Sequence, residues 1–289
     1  MNDMTKPRVA VVTGASAGIG KAAAKALAAR GWRVIGVGRD PVRSAEAAAE
    51  LRAAANGAPV DMIRADLALM AEAARAAREI AALTDRIDVL LNNAGGMARE
   101  KVITAEGYEA NFAGNHLGPF LLTQRLLPLI RRAAADAPKG SVRIINTTSD
   151  GSEMIPGLNW DDLQLFDTFT PGAAYCQGKL ANVLHAHGLA RRLAADGVVA
   201  HAVHPGTIAS NFASHAPDST QAYMATLESM TPEKGAEALV WLATAEEPGL
   251  STGGYFHQCK PMPPNPFVED GAIERLWRES ETLIGKAGV

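Results

Sequence analysis

The sequence predicts an α/β chain, a doubly wound parallel sheet with helices on both faces, and three observations carry that reading. Short runs rich in β-branched and apolar residues alternate with longer alanine-rich segments of helical character. Val9-Ala10-Val11-Val12 and Asp88-Val89-Leu90-Leu91 are apolar at successive positions, as strands buried on both faces require. The 289 residues are 47% apolar, enough to bury a full core, and this length suits one domain over residues 1–289 better than two.

Taken in order, the strands fall at residues 8–12, 33–37, 60–63, 89–91, 142–145 and 199–203. A helix over residues 21–30 runs to Gly31, which suits the left-handed turn that closes a helix, so the second strand starts near Trp32. Two irregular stretches interrupt the alternation, near residues 150–172 and 205–230, the first marked by Gly151, Pro156, Gly157, Pro171 and Gly172. Both read as walls of a ligand site, with Met154, Ile155, Leu158, Trp160, Phe212, Tyr223, Met224 and Met230 as a candidate apolar lining. Residues 260–266 hold four prolines and read as irregular, whereas residues 272–284 form a last amphipathic helix.

Composition excludes several classes of function. Lys and Arg number 28 against 31 Asp and Glu, a net charge of -3 with no basic stripe, which argues against nucleic acid as a partner. No apolar run approaches membrane-spanning length and the N-terminus has no secretory pattern, so the expectation is a soluble cytoplasmic protein. Cys176 and Cys259 lack metal-ligand spacing and read as reduced thiols, with Cys176 as a packing residue; no metal is expected.

The first strand leads into Thr13-Gly14-Ala15-Ser16-Ala17-Gly18-Ile19-Gly20 and then a helix. Glycines there permit a tight turn and let backbone N–H groups and the helix N-terminus reach a pyrophosphate, so a dinucleotide on a Rossmann-type sheet is expected. Where a carboxylate would grip the ribose 2′-hydroxyl of NAD, this chain has Gly38 followed by Arg39. With no anion to repel a 2′-phosphate and a guanidinium to pair with it, NADP(H) is preferred over NAD(H), with Arg43 as a second cation. Tyr175 and Lys179 stand four residues apart, on one helix face. An ammonium beside a phenol favours the ionised phenol, as proton exchange with a carbonyl oxygen near neutral pH requires. His185 and His187, two apart, face different directions and read as core or interface residues.

Thr13-Gly14-x-x-x-Gly18-x-Gly20, Asn92-Asn93-Ala94-Gly95, Ser149, Tyr175-x-x-x-Lys179 and Pro205-Gly206 together resemble the short-chain dehydrogenase/reductase family. The stretches Asn115-His116-Leu117-Gly118-Pro119-Phe120 and Val203-His204-Pro205-Gly206-Thr207 look like its retinol-dehydrogenase-like branch. The resemblance implies hydride transfer between NADP(H) and an aldehyde or ketone, or the corresponding alcohol, with Tyr175 as proton donor or acceptor. Lys179 would lower the Tyr175 pKa and hold the nicotinamide ribose, Ser149 would hydrogen-bond the substrate oxygen, and Asn115 would anchor a proton-relay water. Thr13, Gly14, Ser16, Gly18, Ile19 and Gly20 would cradle the pyrophosphate, and Asp66 with Leu67 would meet the adenine. Asn93, Ala94 and Gly95 would line the adenosine side, and Pro205, Gly206, Thr207 and Ile208 the carboxamide ring. Relatives commonly associate through the helices near Asn115 and Ala173, so a homo-oligomer is compatible with the resemblance. The reading from another class is a protein that senses NADP(H) on the same fold without chemistry; such proteins typically lose the Tyr or the Lys. Gly178 and Pro119 depart from the pattern, a Ser and a His being usual there, and Gly within a helix costs ~1 kcal/mol against Ala.

Overall fold

The computed structural model describes residues 7–209 and 216–289. Strands β1 (Val9–Thr13), β2 (Arg33–Gly38), β3 (Val60–Arg64) and β4 (Val89–Asn92) alternate with helices α1 (Gly18–Ala29), α2 (Pro41–Ala54) and α3 (Met70–Leu83). A short helix α4 (Ala110–Phe112) widens into a π-type turn, Ala113–Leu117, and continues as α5 (Gly118–Ala135). Then come β5 (Arg143–Thr147), α6 (Pro171–Leu193), β6 (Val199–His204), α7 (Asp218–Ala225) and α8 (Pro232–Thr244). The chain closes with β7 (Gly254–His257), β8 (Lys260–Met262) and α9 (Asp270–Lys286).

The strands form an eight-stranded sheet in the order β3-β2-β1-β4-β5-β6-β7-β8. All pairings are parallel except that of β7 with β8. The chain winds outward in one direction from β1 and in the other from β4, so a crevice opens between those strands at their carboxyl ends. Ile35, Leu90 and Ile144 face a core shared with α3, α5, α6 and α9, while Val12, Val34 and Leu91 face a second core under α1 and α8. That two-sided burial is why the middles of these strands are apolar at successive positions.

The expected strands and last helix stand within two residues of their observed limits. Gly31 adopts φ +79 and, with Trp32, donates its N–H back into the last turn of α1. Two expectations need correction. Residues 260–262 are not irregular: Met262 pairs with Tyr255 and Lys260 with His257, and the missing N–H of Pro261 is harmless in an edge strand. The stretch after His204 is also not wholly irregular, since α7 lies within it. Phe212 and the side chain of Tyr223 lie outside what is described.

The departures acquire a physical account. Pro119 has no N–H, and at this place the helix opens: Gly118 donates its N–H to Ala113 O, five residues back. A Cβ at Gly178 would meet Asn115 Cβ at 3.0 Å, so this glycine lets α6 approach the wide turn.

Candidate functional site

The carboxyl ends of β1 to β6 border one crevice of about 1200 Å³. At one end is the turn after β1, where Gly14 and Gly18 take φ +70 and +54, conformations open to glycine without a Cβ clash. Ser16, Ala17, Gly18 and Ile19 line the wall. Helix α1 starts there with Ala17 at the capping position, with no side-chain cap and no acid in its first turn. Free N–H groups at the positive end of a helix dipole suit an anion.

Two residues of the glycine turn, Thr13 and Gly20, lie behind the crevice lining. Thr13 is fully buried, and its Oγ1 accepts the N–H groups of Asn93 and Ala94, each at 2.9 Å, so it ties β1 to the β4 loop. A Cβ at Gly20 would lie 2.4 Å from both Asn93 Nδ2 and Gly14 O, so Gly20 makes room for that side chain and for the backbone of the turn.

Beyond β2, Arg39, Asp40 and Arg43 line the crevice, and Arg39 Nη1 stands 3.6 Å from Asp66 Oδ2 across its mouth. A Cβ at Gly38 would sit 2.6 Å from Ser44 Oγ and 2.9 Å from Ser16 Cβ, which leaves no place for a carboxylate. Ser44 Oγ is buried beside this gap without a hydrogen-bond partner, so the end of β2 carries two hydroxyls and two guanidiniums, Arg39 beside the Asp66 carboxylate and Arg43 3.7 Å from Asp40 Oδ2. Asp66 Oδ1 accepts the Ala68 N–H at 3.0 Å. Asp66, Leu67, Ala94 and Gly95 form the adjoining wall.

The other end is built on α6, which Thr170 caps by accepting the Ala173 N–H and Pro171 starts. Tyr175 and Lys179 project from it into the crevice, as does Ser149 from the end of β5. Ser149 is hydrogen-bonded to Tyr175, and its Oγ also accepts the Gly151 N–H at 3.1 Å. Lys179 Nζ lies 5.5 Å from the Tyr175 ring centroid and donates to Thr147 O at 3.4 Å. Asn115 sits in the wide turn and clamps the β4 loop: Nδ2 donates to Gly96 O at 2.8 Å and to Asn111 O at 2.9 Å, and Oδ1 accepts the Gly96 N–H at 3.1 Å. A Cβ at Gly95 would lie 2.4 Å from Asn115 Oδ1 and 3.0 Å from Lys179 Nζ, so both side chains converge on this glycine. Pro205, Gly206, Thr207 and Ile208 form the opposite lip, with Gly206 at φ +98.

Electrostatics differ from the sequence expectation. Burial pushes the Tyr175 phenol above its ordinary value; the Ser149 hydrogen bond opposes the shift and the Asp150 carboxylate adds to it. Burial also lowers Lys179, to about 8. With the ammonium turned to Thr147 O, desolvation outweighs its pull on the phenol, and the phenol is held neutral. Cys176 lines the crevice and is not merely packing, but burial raises its thiol to about 11, so it stays protonated.

Of the expected apolar lining, Met154 and Met224 face the crevice, joined by Met97, Val102 and Leu227. Leu158 is buried, and Ile155 and Trp160 pack against the core. Met230 belongs to a second cavity behind Gly206. Sequence reading missed Ser44, Asp150 and the buried Glu109, whose carboxylate accepts N–H bonds from Asn111 and Phe112 and so holds the start of the wide turn. Glutamate is not among the residues preferred at a helix N-cap, so nothing local in sequence marks any of the three.

A family model described as short chain dehydrogenase matches residues 8–221. The chain is 36% identical to retinol dehydrogenase 13 of Homo sapiens over 96% of its length and 85% of that protein. Retinol dehydrogenase 12 of Homo sapiens is also 36% identical, over 96% of this chain and 86% of its own. Among solved structures, a Pseudomonas aeruginosa RhlG/NADP active-site complex superposes with a TM-score of 0.69 at 28% identity, covering 92% of this chain and 98% of that one.

Proposed function

The chain belongs to the short-chain dehydrogenase family, and from that premise we propose that it is an NADP(H)-dependent oxidoreductase acting on an aldehyde or ketone, or the corresponding alcohol, of apolar character. The observation that carries this reading is the hydrogen-bonded Ser149–Tyr175 pair, with Lys179 behind it, at the open crevice.

The residues fit the cofactor. The uncapped start of α1 offers N–H groups to the pyrophosphate. The gap at Gly38, with no carboxylate at that position to favour NAD, and the unpartnered Ser44 hydroxyl suit a 2′-phosphate, which would draw on the Arg39 and Arg43 guanidiniums now paired with Asp66 and Asp40. That the RhlG structure is a complex with NADP agrees with this choice. When bound, the cofactor supplies the hydride; the protein supplies orientation and electrostatics.

In reduction, Tyr175 donates its proton to the carbonyl oxygen as negative charge develops there, and Ser149 hydrogen-bonds the same oxygen. A neutral phenol is the form that donates. The Lys179 ammonium stabilises the phenolate left behind and Asn115 holds the loop against which Lys179 rests. Met97, Val102, Met154, Met224 and Leu227 give the substrate an apolar wall.

The test is oxidation of NADPH, followed at the nicotinamide absorbance band, with a panel of aliphatic and aromatic aldehydes and ketones and the reverse assay with alcohols. Turnover with wild type, and its loss in a Tyr175→Phe variant that still binds NADPH, is expected. A wild-type protein that binds NADPH and turns over nothing on either panel overturns the reading. Greater thermal protection by NADH than by NADPH overturns the cofactor choice.

A further inference from the structure

Helix α9 turns an amphipathic stripe of Ala272, Ile273, Leu276, Trp277 and Ser280 onto the molecule. Trp277 fills the notch at Gly188 on α6, where a Cβ would meet its ring at 2.8 Å, and the Arg192 guanidinium stacks on the ring at 3.9 Å. Ser280 is the anomaly in this stripe. It is fully buried, and its Oγ is 2.7 Å from Nε2 of His116, itself fully buried in the wide turn next to Asn115, with the Asn182 side chain of α6 as its second polar neighbour. Burying an imidazole and a hydroxyl costs desolvation, seen in His116 as a pKa lowered to about 3. Two apolar side chains would fill the space without that cost; the hydrogen bond adds a fixed distance and direction.

The wide turn is where such a constraint matters. It lacks ordinary helical pairing at Pro119, and α6 presses against it at Gly178. Asn115 reaches from it toward the spot beside Gly95 that Lys179 Nζ also reaches.

We propose that Ser280 is a positioning residue for the proposed reaction: through His116 it fixes the turn that sets Asn115 against Lys179. The inference rests on the reading of Tyr175 and Lys179 given above. It makes the last helix part of the machinery for proton transfer although no atom of Ser280 touches the crevice.

The experiment uses the full chain with NADPH and the best carbonyl substrate from the panel. Ser280→Ala and His116→Phe each lower kcat about tenfold, with both KM values and the NADPH affinity within about twofold of wild type. The double variant is no slower than His116→Phe alone, because that change already removes the bond to Ser280 together with the contact to Asn182. His116→Gln, which keeps a polar group toward Ser280, recovers at least half of the lost kcat. Arg192→Ala loosens α9 at Trp277 and Glu274 without touching His116, and keeps wild-type kcat at temperatures where it is folded. Wild-type kcat in Ser280→Ala, additive losses in the double variant, or an equal kcat loss in Arg192→Ala overturns the proposal. If Ser280→Ala does not fold, the His116→Phe and His116→Gln pair decides alone: equal kcat values in the two overturn it. Absence of turnover in wild type is a different failure, that of the enzymatic reading.

Discussion

The two ends of the crevice are built by opposite means. At the β1–β2 end the ligand surface is mostly backbone and absent side chain: positive φ at Gly14 and Gly18, an uncapped α1, and a notch at Gly38. At the β5–α6 end it is side chain, held by bonds both local and distant: Lys179 by Thr147 O, Asn115 by Gly96 and Asn111, the wide turn by Glu109 and by His116 with Ser280. A backbone cradle needs little besides the right dihedrals, so it is stable as well as functional. A desolvated ammonium and a desolvated phenol are each unfavourable in the fold, so the second end gives up stability for chemistry.

The sharpest break in the comparison is Tyr175→Phe. Removing the donor at the side-chain end lowers kcat about 10³-fold with NADPH binding unchanged. A loss below tenfold places the proton donor elsewhere.

Lys179→Met separates function from stability. Its kcat falls about 100-fold, yet the protein is more stable than wild type at pH 7. The sign follows from the folded pKa being lowered to about 8 from its ordinary value of 10.5. Below pH 8 the native state carries a buried, poorly compensated charge; between 8 and 10.5 the unfolded chain binds more protons than the native one, so wild-type stability rises with pH. The advantage of the variant is on the order of a few kcal/mol at pH 7 and disappears above about pH 10.5. Denaturant unfolding without cofactor at pH 7, 9 and 10.5 measures it. A variant less stable than wild type at pH 7 shows that Lys179 is structurally favourable, and the contrast between the two ends then fails.

At the backbone end, Gly38→Asp tests shape and charge together. Its Cβ collides with Ser44 and Ser16 and its carboxylate faces the proposed 2′-phosphate place, so NADPH affinity falls more than about tenfold. Titration of both reduced cofactors checks this. An undiminished preference for NADPH moves the 2′-phosphate away from Gly38, and then Arg39 has no role in the choice.

What was legible in the sequence follows the same division. Strands buried on both faces announce themselves by continuous apolar runs, and a glycine turn between strand and helix announces a cradle, because both signals are local. The edge pair β7–β8 carries no such signal: Lys260-Pro261-Met262 is exposed and becomes a strand only by pairing with Tyr255 to His257. Tyr175 and Lys179 were visible through their spacing, but the neutral phenol was not, because desolvation depends on what the fold packs around it. Thr13 serves Asn93, a contact across eighty positions that no window of sequence contains, whereas Gly20 makes room both for Asn93 and for Gly14 O within the motif itself. Ser280 and His116 are likewise separated by 164 positions.

Gly178→Ala gives the smallest effect and the finest resolution of the contrast. On helix propensity alone the change stabilises by ~1 kcal/mol, since glycine is the poorer helix former. Against that, the new Cβ stands 3.0 Å from Asn115 Cβ, so α6 and the wide turn must separate by a few tenths of an ångström or strain. Asn115 is the neighbour that moves, because its backbone lies where the helix is already open at Pro119. The two terms nearly cancel in stability, leaving the melting temperature within a few degrees of wild type, while kcat falls about threefold with KM unchanged because Asn115 shifts relative to Lys179. A raised melting temperature with wild-type kcat shows slack between these elements. Glycine at 178 then serves no positioning purpose, and the side-chain end is more tolerant of displacement than its network of hydrogen bonds implies.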